Sequence, residues 1–164
     1  MSQESSKQPS FMEMALAQAE AASAQGEVPI GAVLVDGVSG EILAQAHNRV
    51  EEQTDPTAHA EMLALTQAQA ALGDWRLNEC DLFVTKEPCP MCAGALVHVR
   101  MRRVVFGCPS PKDGAAGGVL DVRGLGPKPG ARAGRTSTAR TGIGHAGRAG
   151  TDRAVRPPSS PPAS

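Results

Sequence analysis

Two short motifs constrain what this chain can fold into. His59-Ala60-Glu61 and Pro88-Cys89-Pro90-Met91-Cys92 lie with 29 residues between His59 and Cys89. Together they offer an imidazole, two thiols and a spare carboxylate, the inventory of a hydrolytic zinc site with three protein ligands and one open position. Any fold for the chain must bring the two motifs together. Hydrophobic periodicity shows how. Met12, Ala15, Leu16, Ala19 and Ala22 recur at helical steps over residues 11–23, ending near Gly26. Residues 28–35 are apolar and β-rich, 36–40 are turn-forming and 41–47 read as a second strand, which predicts a hairpin. Asp55-Pro56-Thr57 signals a helix start, with Ala58, Met62, Leu65, Ala68 and Leu72 on the buried face up to Gly73. A strand over 81–85, a helix from Cys89-Pro90 to about residue 100 and a strand over 103–106 follow. This order predicts an α/β chain with a mixed sheet and helices on its faces, both motifs falling at helix N-termini.

The chemistry of these residue types is specific. Partial positive charge at a helix N-terminus favours thiolates, and two thiolates with a neutral imidazole balance a divalent zinc ion while leaving it able to acidify water. Glu61, two residues beyond His59, points to a different side of the helix and suits a proton shuttle better than a ligand. A Cys-x-x-Cys pair after a strand also fits a redox site, and a structural four-ligand zinc site could recruit Cys80, Cys108, His47 or His98. Neither alternative uses a carboxylate beside the ligand histidine. Taken singly, Cys80 and Cys108 read as buried thiols, His47 and His98 as ordinary core or surface residues, and His145 has no role.

Charge divides the chain. Residues 1–121 hold 8 Lys+Arg against 16 Asp+Glu, whereas residues 122–164 hold 8 against 1, with 8 Gly, 6 Pro and no apolar periodicity. The expected organisation is a disordered N-terminus over 1–10, a domain over 11–122 and a disordered basic Gly/Pro/Arg-rich tail over 123–164. An abrupt change of this kind fits either an out-of-frame translation of a GC-rich gene or a basic tail that binds RNA without sequence preference. No apolar run approaches bilayer length and no signal-like segment opens the chain, so no membrane association and a cytoplasmic location are expected.

With these residues in hand, the chain resembles the cytidine deaminase superfamily and, within it, the bacterial tRNA-specific adenosine deaminases. The resemblance runs over about 11–122. It rests on Glu27-Val28-Pro29-Ile30-Gly31-Ala32-Val33, His47-Asn48-Arg49, Asp55-Pro56-Thr57-Ala58-His59-Ala60-Glu61, Glu87-Pro88-Cys89-Pro90-Met91-Cys92-Ala93-Gly94-Ala95 and Lys112-Asp113-Gly114-Ala115-Ala116-Gly117. It implies a three-layer α/β/α sandwich, a homodimer with one zinc ion per subunit, and conversion of the wobble adenosine of a tRNA anticodon stem-loop to inosine. It further implies His59, Cys89 and Cys92 as zinc ligands, Glu61 as proton shuttle, and Asn48 with Ala60 at the extruded base. Arg100, Arg102, Arg103 and Lys112 are candidate RNA contacts. Lys86 replaces the family's usual Leu, Ser110 its usual Asp, and after Val122 the family's last strand and helix give way to unrelated sequence, which would expose the fourth strand as an edge. Two other readings stay open: a deaminase of a free base such as guanine or cytosine, and an inactive zinc-containing RNA-binding remnant.

Overall fold

The computed structural model describes residues 9–118 and the backbone of 135–138. Ser10 starts helix α1 (Phe11–Ala24) with a capping box: its Oγ accepts from Glu13 N, and the Glu13 carboxylate accepts from Ser10 N. Strands β1 (Gly31–Asp36) and β2 (Ile42–His47) form the antiparallel hairpin, closed by Asp36 Oδ1 accepting from Val38 N and Ser39 N at 2.8 and 2.7 Å. A short helix α2 (Val50–Gln53), α3 (Ala60–Leu72), β3 (Cys80–Lys86), α4 (Pro90–His98), β4 (Arg103–Cys108) and β5 (Arg135–Thr138) complete the order. The sheet runs β2-β1-β3-β4-β5, with β1 antiparallel to both neighbours and the β3–β4 and β4–β5 pairs parallel.

Alternation along β1 separates the layers. Ala32 and Leu34 point into the larger core with Leu82, Val84, Val104 and Phe106, beneath Ala60, Ala64, Leu65 and Ala68 of α3 and Leu96 of α4. Val33 and Val35 point the other way, onto Ala15 of α1, with Phe11, Met12 and Phe83 beside them. The result is the expected α/β/α sandwich. α1 lies so close to β1 that a Cβ at Gly31 would collide with the Ala15 carbonyl and the Gln18 side chain. No helix among the described residues is long and apolar enough to cross a membrane.

Several boundaries differ from the sequence reading, each for a local reason. β1 begins at Gly31 because Ile30 N turns back to Val28 O around Pro29, which has no N–H to give a ladder. Asp55 does not start α3; its carboxylate accepts from Thr57 N and Oγ1 in a separate turn, and His59 is the N-cap. Cys108 corrects the expectation of a buried thiol: it is exposed at the end of β4. Cys80 is buried as expected, and burial pushes its thiol up to about 11. β5 corrects the expectation of an unstructured tail for its four residues. Thr136 and Thr138 suit a strand, and β4 offers them a free row of backbone groups, so β4 is an interior strand. The remainder of the tail expectation, 123–134 and 139–164, lies outside the described residues, as does 1–8 of the N-terminus.

Candidate metal centre

Two helix entries build the site. His59 is the N-cap of α3 and Cys89 the N-cap of α4, both extended in backbone and neither spending its side chain on a capping hydrogen bond. Pro90 occupies the first turn of α4, where a missing N–H costs nothing. The parallel β3–β4 crossover through α4 sets Cys92, one turn in, beside Cys89. His59 Nδ1 lies 3.7 Å from Cys89 Sγ and 3.6 Å from Cys92 Sγ, and the three ligand atoms fall within 4.8 Å of one another. Among the described residues this group includes neither His47, His98, Cys80 nor Cys108, so no fourth protein ligand of the structural-zinc type joins it. His47 instead faces Gln18 and Gln25 through its two ring nitrogens.

The donor set fits zinc. A tetrahedral ion with ordinary Zn–N and Zn–S bonds separates nitrogen from sulfur by about 3.6 Å, the spacing found here. The Cys92 thiol donates to Cys89, and this bond, helped by backbone N–H groups and His59, lowers Cys89 to about 5. The same bond and burial push Cys92 up. Glu61 sits in the first turn of α3, 3% exposed, and its Oε2 has no hydrogen-bond partner among the described residues. Burial raises its carboxyl above the usual carboxylate range. A buried acceptor left unpaired beside a candidate metal-ligand set is suited to proton transfer to a bound group.

Asn48 follows β2, buried, and is drawn to the α3 entry by the hydrogen bond from Arg49 N to Ala58 O at 3.0 Å. Ala60 is fully buried beside His59. The four cationic candidates separate. Arg102 donates through Nε and Nη2 to both oxygens of buried Asp81 and to Gly37 O, and Arg103 donates to Asp81 Oδ2 at 2.6 Å, so both guanidinium groups are engaged within the fold. Arg100, exposed, lies over the Trp75 ring, and Lys112 is exposed on the loop after β4. Lys86 pairs with Asp113 at 3.5 Å, and Ser110 is buried with its Oγ donating to Asp113.

Two acidic residues to which the sequence assigned no role organise the surroundings. Glu87 accepts from Ser110 N, Ala116 N and Gly118 N, while Ala115 N donates to Pro88 O, so the loop after β4 is strapped to the segment that carries Cys89. Glu27 accepts from Asn48 Nδ2. Both stand in recognisable motifs, but the groups they meet lie 21 to 31 residues away. No local pattern reveals such partners.

Residues 5–108 match the cytidine and deoxycytidylate deaminase zinc-binding region. The tRNA-specific adenosine deaminase of Bacillus subtilis strain 168 is 51% identical over 112 residues, covering 68% of each chain. A solved structure from studies of A-to-I editing by tRNA:A34 deaminases is similar at a TM-score of 0.69 and 43% identity, covering 79% of this chain and 96% of that one. A guanine deaminase structure from Bacillus subtilis is similar at a TM-score of 0.58 and 38% identity, covering 60% of this chain and 62% of that one.

Proposed function

The chain belongs to the cytidine and deoxycytidylate deaminase family, and we propose that it is a tRNA-specific adenosine deaminase that converts the wobble adenosine of an anticodon to inosine by hydrolysis, releasing ammonia. The observation that carries the proposal is the meeting of His59 Nδ1, Cys89 Sγ and Cys92 Sγ beside the unpartnered Oε2 of buried Glu61. The substrate rests on the relatives, whose names specify adenosine in tRNA.

His59, Cys89 and Cys92 hold zinc, one ion per subunit, and when bound it supplies Lewis acidity that makes water nucleophilic near neutral pH. Glu61 accepts a proton from water and passes it to a ring nitrogen of the base; it then takes the remaining proton of that water from the new hydroxyl and delivers it to the departing amine, so that the C–N bond breaks, the carbonyl forms and ammonia leaves. Its burial raises the proton affinity of the carboxyl above that of an ordinary carboxylate. Asn48 and Ala60 hold the extruded base, which costs little to unstack from a single-stranded anticodon loop. Arg100 and Lys112 are exposed cations that serve RNA, whereas Arg103, also exposed, is paired with Asp81. The enzyme acts in the cytoplasm as a homodimer.

The test is conversion of adenosine to inosine in an anticodon stem-loop RNA with a wobble adenosine. Glu61→Ala should abolish conversion while zinc stays bound; loss of zinc with the activity would mean that Glu61 is a ligand. The similarity to guanine deaminase favours one second reading, a free-base deaminase. Turnover of guanine with no action on the stem-loop would establish it in place of the first.

A further inference from the structure

Glu27 is 6% exposed and its carboxylate meets two donors: Oε2 accepts from Asn48 Nδ2 at 3.0 Å, and Oε1 accepts from Glu52 N at 2.8 Å. Backbone N–H groups of the α2 turn hold this carboxyl below its usual range, so it is ionised at neutral pH. A carboxylate only accepts. Asn48 must therefore turn its NH2 group toward Glu27, because the opposite amide orientation would set Oδ1 against Oε2, acceptor against acceptor. Asn48 Oδ1 has no hydrogen-bond partner among the described residues. The Arg49 N to Ala58 O bond sets the backbone of the residue after Asn48 against that of the residue before His59.

We infer that Glu27 is a specificity-determining positioning residue, which fixes the amide orientation of Asn48 and so the order of donor and acceptor offered to the substrate base. The inference deepens the proposed function and rests on the reading of Asn48 as a base-binding residue. Glu27 itself touches no substrate. Its effect passes entirely through Asn48, which separates it from a group that merely braces the α2 turn.

Glu27→Gln discriminates the two. A Gln oxygen can keep the Glu52 N–H, which turns its amine toward Asn48; Asn48 then inverts to accept it. The number of hydrogen bonds is conserved while the order of donor and acceptor is reversed. The expected result is a fall of roughly 10- to 100-fold in kcat/KM on the stem-loop, with thermal midpoint and zinc content unchanged. In an Asn48→Ala background, Glu27→Gln should add less than about twofold, measured by single turnover with enzyme in excess. Native kcat/KM in Glu27→Gln, or the same loss in both backgrounds, overturns the inference. A structural readout is independent of the substrate. In the native protein the side-chain amide of Asn48, assigned by its loss in Asn48→Asp, should give one downfield, slowly exchanging proton bonded to the carboxylate. Two equivalent, rapidly exchanging amide protons in the native spectrum overturn the inference even if Glu27→Gln fails to fold. A native chain inactive on the stem-loop but showing the downfield proton would refute the proposed substrate and leave the orientation standing.

Discussion

Replacing Glu87 with Ala removes the acceptor for three backbone donors at once. Ser110 N binds Oε2 at 2.9 Å, while Ala116 N and Gly118 N bind Oε1 at 3.0 and 2.8 Å. Ser110 and Ala116 are 1% and 8% exposed, so water does not readily replace the carboxylate for them, whereas Gly118 is exposed and can turn to solvent. At about 1–3 kcal/mol for each buried donor left unpaired, the loss is about 2–6 kcal/mol. Entry of a water into the vacated space sets the lower end. This is a large share of the roughly 5–15 kcal/mol that holds a domain folded. The loop cannot close around a smaller group, because it is already drawn onto the carboxylate: a Cβ at Gly114 would collide with Glu87 Oε2. Ala115 N also donates to Pro88 O, next to Cys89, so loosening the loop loosens a candidate metal ligand. Urea unfolding gives the stability change, and competition with a chelator gives zinc retention. Glu87→Gln, which keeps one acceptor, should lie between native and Ala. A change below about 1 kcal/mol in Glu87→Ala with unaltered zinc retention would refute the reasoning, since the cost of two unpaired buried donors would then be absent.

Further outcomes follow from other parts of the structure. Gly31→Ala forces α1 away from β1 and should cost about 1–3 kcal/mol in urea unfolding, with the thermal midpoint falling; an unchanged midpoint would mean that α1 moves freely over the sheet. Asp36 is held below its ordinary value of 3.8 by the N–H groups of Ser39 and Val38, so it stabilises the hairpin above that pH and loses the contribution as pH falls through its folded-state value. The stability difference between native protein and Asp36→Ala should therefore shrink on acidification, and a pH-independent difference would contradict that assignment. Chelation of zinc should abolish deamination and restore it on readdition, and activity that survives complete removal of zinc would exclude the metal from the reaction. Arg102→Gln should lower stability through Asp81 while leaving the salt dependence of RNA binding unchanged, because its guanidinium is engaged at 2.8 Å within the fold; a shallower salt dependence would place Arg102 on the RNA.

Local chemistry determined a good deal of this protein. Helix α1, the hairpin and the placement of His59 and Cys89 at helix starts follow from periodicity, turn residues and Pro90, which act over a few neighbours. The candidate ligand set follows from residue type and spacing. Tertiary structure decided what depends on distant partners. It brought His59 within 3.7 Å of both sulfurs across 30 and 33 residues, and it left Glu61 Oε2 buried and, among the described residues, unpaired. Arg102 and Arg103, adjacent cations in sequence, became an internal clamp on Asp81 because β3 and β4 lie parallel in that register. Glu27 and Glu87, acidic residues of unstated purpose in sequence, became acceptors for groups 21 to 31 residues away. β5 exists because β4 has an edge to pair, a property no residue of Arg135–Thr138 carries alone. The physical reason is common to all of these: a side chain's type is fixed by the sequence, but its hydrogen-bond partner, its burial and therefore its proton affinity are fixed by whichever segments the folded sheet sets beside it.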